Sequence, residues 1–234
     1  MVSYNSLIDA CVRHNDLDRG QSLLTSMRAG GISPNEITYT ALISGCAKAS
    51  LLSRAFELLA DMAKSGIEPN QVTFSALIDA CMRCDEFKAA SGIMKKMSDA
   101  GLERNVVTYN IIISGYGRNG MATEAESYFK EMIDAGISPN QVTYNSLICA
   151  FVRAMELKKA FSLRDKMSTD GFEPDRVTFN TLMMGCAKCR QVDDAFSLAS
   201  QMEARGLKAD QITYTALIDA CSRGNEMHRA HQVL

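Results

Sequence analysis

The chain has 234 residues, of which 47% are hydrophobic, and a formal net charge of −2; taken alone, that balance argues against nucleic acid as a partner. No apolar run approaches the length needed to cross a bilayer. Eight cysteines could suggest disulfides, but most recur at one helical position, which predicts buried free thiols in a reducing compartment.

One stretch repeats along the chain. Pro139 to Arg153 reads Pro-Asn-Gln-Val-Thr-Tyr-Asn-Ser-Leu-Ile-Cys-Ala-Phe-Val-Arg, and the same pattern returns 35 residues earlier from Asn105 and 35 residues later from Asp175. A fixed period of this kind decides the fold before any single residue does. With column 1 set at Met1, repeats cover 1–35, 36–70, 71–105, 106–140, 141–175, 176–210 and, in part, 211–234. No insertion breaks the count, and Met1 already lies inside the frame, which predicts no signal or transit segment ahead of it. The frame runs to both ends without a polar capping helix, which predicts a piece of a longer array, because an uncapped solenoid exposes an apolar face.

Each repeat predicts two helices. Helix A begins near column 3, where Thr38, Thr73 or Thr143 can cap the first turn, and runs to about column 13. Helix B covers roughly columns 17 to 29. Column 20 is Ala in every repeat but the first, where Gly20 stands, and column 27 is Met wherever it occurs. Column 31 is always Gly, the usual residue just past a helix end. All four prolines (Pro34, Pro69, Pro139, Pro174) occupy column 34 and keep the linker extended. Arg104 and Ala209 replace them in two linkers, which predicts softer connections there.

On a helical wheel, columns 4, 7, 8 and 11 of helix A share one arc and hold Tyr or Phe, then aliphatics, then Cys, Tyr or Phe; that is the core face. Columns 2, 5, 9 and 13 cluster on the opposite side. Column 2 is Val or Ile, column 5 is Asn, Ser or Thr, and column 13 is always Lys or Arg. Solvent alone demands no such regularity. Columns 3 to 13 hold seven basic and three acidic residues, against eighteen basic and twenty-four acidic elsewhere, so the net charge conceals a segregated one. A helix C-terminus favours cations without any ligand, yet a basic residue in every repeat beside a regular polar column predicts an aligned cationic stripe.

The Val-Thr-Tyr-Asn-x-Leu-Ile opening, the Ala of column 20, the Met of column 27 and the Gly-Ile-x-Pro-Asn/Asp exit resemble the pentatricopeptide repeat family in its P-class form, over the whole chain. The resemblance implies an all-α, right-handed α-solenoid superhelix of seven helix-turn-helix repeats, the last truncated. It implies a single array that binds single-stranded RNA, one base per repeat, with the N-terminal repeat toward the 5′ end, and residence in a mitochondrion or chloroplast. It implies that column 2 (Val2, Ile37, Val72, Val107, Val142, Val177, Ile212) sandwiches the bases. Column 5 (Asn5, Thr40, Ser75, Asn110, Asn145, Asn180, Thr215) would choose the base together with column 35 (Asn35, Asn70, Asn105, Asn140, Asp175, Asp210). Column 13 (Arg13, Lys48, Arg83, Arg118, Arg153, Lys188, Arg223) matches a position associated with backbone phosphate.

The chemistry of the pairing follows from the side chains. A small hydroxyl in column 5 leaves room for a purine, and Asn fills the space beside a pyrimidine. Asp only accepts hydrogen bonds and suits uracil or guanine, whose ring N–H donates; Asn brings a donor that suits the bare ring nitrogen of cytosine or adenine. The family's rule then gives 5′-(C/U)AA(C/U)UU(A/G)-3′, supporting stabilisation, processing or translation of an organellar RNA.

Cys81-x-x-Cys84 and Cys186-x-x-Cys189 look like halves of a zinc site, but they lie three full repeats apart, and Cys11, Cys46, Cys81, Cys186 and Cys221 all occupy core column 11. His228 and His231 have no third ligand nearby in sequence. Gly115, Gly117 and Gly120 cluster in one repeat and predict a loosened one. No nucleophile elbow, catalytic triad pattern or phosphate loop is present in the sequence, so neither catalysis, nor a cofactor or metal, nor a small-molecule substrate is expected. The other readings are a protein-binding scaffold like the tetratricopeptide repeats, and the targeting part of an enzyme whose catalytic domain lies outside this sequence. Column 5 argues against the scaffold, since a peptide groove would vary more there.

Overall fold

The computed structural model describes residues 2–233, with the side chains of Val2 and of residues 231–233 excepted. Among the described residues there are fourteen α-helices and no strand. Seven are helices A: α1 Val2–Arg13, α3 Glu36–Lys48, α5 Gln71–Arg83, α7 Val106–Arg118, α9 Gln141–Arg153, α11 Arg176–Lys188 and α13 Gln211–Gly224. Each is followed by a helix B: α2 Leu17–Ala29, α4 Leu52–Lys64, α6 Phe87–Asp99, α8 Ala122–Asp134, α10 Leu157–Thr169, α12 Val192–Ala204 and α14 Met227–Val233.

The chain divides within α7 into two compact units, one ending at Gly115 and the other beginning at Tyr116. In the first, α1 packs on α2 and α3, α3 on α4 and α5, and α5 on α6. In the second, α9 packs on α8, α10 and α11, α11 on α12 and α13, and α13 on α14. Within the units α1, α3, α9 and α11 therefore each touch their own helix B and the next helix A, which is the stacking of an α-solenoid.

The predicted core columns are the observed core. Tyr39, Leu42, Ile43 and Cys46 are buried, as are Tyr144, Leu147, Ile148 and Phe151. Met27, Met62, Met97, Met132, Met167 and Met202 are fully buried, and so is the Ala of column 20 in the interior repeats. At the chain ends the same columns open: Leu7 and Tyr214 are exposed.

Both helix ends are closed by backbone. The N–H of column 32 donates to the carbonyl of the buried Met (Ile67 to Met62, 3.1 Å; Phe172 to Met167, 3.0 Å), with the column-31 Gly at positive φ between them. That is a Schellman closure, and it explains why Met, Gly and an apolar residue recur together. The linkers at Arg104 and Ala209 make the same closure, from Leu102 to Met97 and from Leu207 to Met202. Helix A ends the same way, with column 15 at φ between 56° and 69° in all seven repeats, although only Gly120 among these is a glycine. Sequence reading misses this turn because Asn, Ser, Asp, Met and Arg share the position without a common signal.

Two expectations are corrected. Helices A after the first begin at column 1, two residues earlier than the column-3 threonines suggest, because the cap is the Asn or Asp of column 35. The glycines of α7 mark close packing rather than a loosened repeat. A Cβ on Gly115 would stand 2.6 Å from Met82 Sδ, and one on Gly117 would stand 3.0 Å from the Ser146 carbonyl oxygen. Gly45 against Val12 and Gly185 against Val152 are equally tight, at 2.9 and 3.0 Å. Column 10 of one repeat thus meets column 12 of the preceding one, and a larger side chain on one side is matched by glycine on the other.

Candidate nucleic-acid interface

Column 35 builds the site because it first builds the helix. Asn35 Oδ1 accepts from the N–H of Thr38 at 3.1 Å, and the Asn35 N–H donates back to Thr38 Oγ1 at 3.2 Å, a reciprocal capping box. Asp175 with Thr178 and Asp210 with Thr213 repeat it, and Asn140 with Thr143 does the same. One oxygen of column 35 is thereby fixed, and the rest of its end group is turned outward.

Column 5 of the preceding helix A joins this cap. Asn5 Nδ2 donates to Asn35 Oδ1 at 3.2 Å, and Thr38 Oγ1 lies 2.7 Å from Asn5 Oδ1. The hydroxyl has one hydrogen, and the shorter contact is to Asn5 rather than to Asn35 Oδ1 at 2.9 Å. Asn145 meets Asp175 and Thr178 in the same way (3.3 and 2.7 Å), and Asn180 meets Asp210 and Thr213 (3.2 and 2.8 Å). The shorter residues reach less far. Thr40 bonds Thr73 at 2.7 Å and Ser75 bonds Thr108 at 2.9 Å, and both contacts stop at the column-3 hydroxyl. The two side-chain classes thus leave different space in front of column 35, an amide filling what a hydroxyl leaves open.

Column 5 is therefore not the solvent face that a single helical wheel suggests. Ser75 and Asn180 are only 6% exposed, and Asn5, Thr40 and Asn145 are half-buried, because the next helix A packs beside them; Asn110 is half-buried as well. Thr215 alone of the column is exposed, with its hydroxyl on its own Gln211 carbonyl at 2.7 Å. The row survives as a seam between successive helices A within each unit.

Asp175 and Asp210 are held below the ordinary carboxylate range. Burial pushes Asp175 up, but the N–H and hydroxyl of Thr178, with Asn145 and Gln141, outweigh it. The Thr213 N–H is the largest influence on Asp210, followed by burial in the other direction and the Thr213 hydroxyl and Asn180 amide. Both are acceptor-only groups at neutral pH.

Beside the seam, column 2 presents branched aliphatics to solvent. Ile37, Val72, Val107, Val142, Val177 and Ile212 are 54% to 62% exposed; the side chain of Val2 lies outside those described. Scattered exposed apolar residues need no explanation, but a periodic row beside buried polar groups does. Column 13 is exposed in every repeat. Its cations are of two kinds. Arg13, Arg83 and Arg223 pair with Asp9, Asp79 and Asp219 one turn earlier, at 3.1, 2.8 and 2.7 Å. Lys48, Arg118, Arg153 and Lys188 make no ion pair among the described residues, and Arg153 donates to the Arg118 carbonyl at 3.1 Å.

Models of known families decide the kinship. The PPR repeat family model matches residues 1–48, 104–153, 139–188 and 174–223, the pentatricopeptide repeat domain model matches 57–119, and the PPR repeat model matches 37–67. The chain belongs to the pentatricopeptide repeat family.

Solved structures agree with this membership. The pentatricopeptide repeat protein PPR10 in complex with an 18-nt psaJ RNA element is 27% identical, with a TM-score of 0.85 over 100% of this chain and 34% of that one. PPR10 from maize in a second structure gives a TM-score of 0.70 at 24% identity, over 98% and 37%. The PPR domain of the Arabidopsis thaliana protein-only RNase P 1, in complex with tRNA, gives 0.61 at 20% identity, over 74% and 91%, and at that distance shows the fold alone. This pentatricopeptide repeat chain spans about a third of the length of PPR10. No curated protein sequence matches it.

The cysteines of this repeat chain are free thiols. Cys46, Cys81, Cys186 and Cys221 are buried at column 11 as the core reading expects, while Cys11 is half-buried. Burial pushes the Cys81 thiol up to about 11 and that of Cys186 up to about 12. His228 is exposed, and the side chain of His231 lies outside those described.

Proposed function

We propose that the repeats act as a single array that binds single-stranded RNA, one base per repeat, and does so without catalysis of its own. The observation that carries this is the seam. Amides of column 5 bond the capped Asn and Asp groups of column 35, and the shorter hydroxyls stop at column 3. From repeat 2 onward an exposed column-2 aliphatic precedes the column-5 residue one turn earlier in the same helix. A planar base fits between branched aliphatics without preference, and its hydrogen-bonding edge then meets a preset donor or acceptor. With the N-terminal repeat toward the 5′ end of the RNA, the pairing gives 5′-(C/U)AA(C/U)UU(A/G)-3′. In this reading Asn145 with Asp175 and Asn180 with Asp210 each select U, and Thr40 with Asn70 selects A. The array would cover a transcript segment in a mitochondrion or chloroplast, against exonucleases or against competing RNA structure.

Column 13 supplies the phosphate contacts in this reading, so binding weakens with salt at a log–log slope of roughly −0.7 per contact. The unpaired cations carry more of it than those already held by aspartate. In filter binding with single-stranded RNA, Arg118→Gln with Arg153→Gln flattens the slope by about 1.4, whereas Arg83→Gln with Arg223→Gln flattens it by less. An unchanged slope in the first variant removes the stripe from the interface, and failure of the parent chain to retain RNA rejects the function.

A further inference from the structure

Columns 5 and 35 make repeats 5 and 6 identical readers, each with Asn and Asp, but the structure gives their aspartates different neighbours. The oxygen that caps helix A is committed, and the outward atom of column 35 faces column 1 of the same repeat. Asp175 Oδ2 accepts from Gln141 Nε2 at 2.7 Å. Asp210 Oδ2 lies 4.0 Å from the Arg176 guanidinium. In repeat 2 the polarity is reversed with the side chain: Asn70 Nδ2 donates to the Glu36 carboxylate. Column 1 thus opposes an acceptor with a donor and a donor with an acceptor. Repeat 3 departs from this, since Gln71 donates instead to the Glu103 carbonyl at 2.8 Å.

We propose that column 1 is a further specificity-determining position, through Glu36, Gln141 and Arg176, and that it sets how strongly the outward atom of column 35 discriminates between bases. The proposal rests on the RNA-binding reading above. A column-1 side chain takes one of two hydrogen-bonding valences: Oδ2 of an aspartate keeps a second lone pair, and Nδ2 of Asn70 keeps a second hydrogen. The base uses what is left. A neutral amide such as Gln141 leaves the charge of Asp175 in place, and that charge repels the ring-nitrogen lone pair of cytosine while accepting the ring N–H of uracil. The Arg176 cation offsets part of the Asp210 charge and offers N–H groups that cytosine can accept. Repeat 6 therefore discriminates U from C less sharply than repeat 5.

The test exchanges the two residues and measures the affinity of the whole chain for matched heptamers carrying U or C at the fifth or the sixth base. Arg176→Gln raises the U-to-C ratio at the sixth base about threefold, the scale of a partly exposed ion pair, and leaves the fifth alone. Gln141→Arg lowers the ratio at the fifth base by a similar factor and leaves the sixth alone. Retained binding with both ratios unmoved overturns the role of column 1 while leaving the base-per-repeat reading intact. An equal change in affinity for U and C also overturns it, because that marks Arg176 as a contact to phosphate. A parent chain indifferent to the base at both positions defeats the underlying reading itself.

Discussion

Asn180→Thr combined with Asp210→Asn changes the preferred sixth base from U to A, by roughly 10- to 100-fold, as expected when a donor and an acceptor exchange places opposite a buried edge. The fold supports the exchange because both halves already exist elsewhere in the chain. Thr40 sits in column 5 with its hydroxyl on Thr73, and Asn70 caps α5 through the Thr73 N–H at 2.8 Å. In repeat 6, threonine would stop at the Thr213 hydroxyl and vacate the space that the Asn180 amide fills, and asparagine would keep the cap of α13. The outward oxygen of Asp210 would become an N–H, which suits the bare ring nitrogen of adenine and opposes the ring N–H of uracil. Affinities for four heptamers differing only at the sixth base check this. A preference that stays on U, or that shifts at a neighbouring base, contradicts the assignment of Asn180 and Asp210 to a single nucleotide.

Asp175→Ala lowers stability by about 2–3 kcal/mol, against less than about 0.5 kcal/mol for Asp175→Asn. The alanine loses the N-cap of α11 and also strands a neighbour. Asp175 Oδ1 accepts from the Thr178 N–H at 2.9 Å and from Asn145 at 3.3 Å, so its removal leaves a half-buried amide and a helix end without partners. Asparagine retains the oxygen that matters, as Asn140 does at the start of α9. The two aspartates also link stability to pH. Their folded pKa values are depressed, so their contribution is complete above the ordinary carboxylate range and is lost as pH falls through the folded values. Urea denaturation of the variants at neutral pH, and of the parent and the asparagine variant as pH falls through and below the ordinary carboxylate range, measures both effects. A neutral Asp175→Ala would show that column 35 does not support the helix.

The period made most of this fold legible, because one helix could be read as an average of seven. Tyr or Phe in column 4, Met in column 27 and Gly in column 31 declare core and helix end in every copy. What escaped lies between copies. In a capping box the two partners are both cap formers, so Thr38 looks like the cap when Asn35 holds that place. A helical wheel for α11 places Asn180 away from the core, and only the neighbouring α13 shows that it is buried. Gly115 reads as a loosening residue until Met82, one repeat earlier, is set beside it. Column 1 carried no signal at all, since Glu36, Gln141 and Arg176 differ in charge, and their common role appears only against the outward atoms of Asn70, Asp175 and Asp210.

Selection of the whole chain against a pool of randomised single-stranded RNA heptamers tests most directly whether the seam reads bases in order. The account predicts enrichment of 5′-(C/U)AA(C/U)UU(A/G)-3′ in that register and polarity. Enrichment of an unrelated sequence, or recovery of RNA without any base preference, would contradict it.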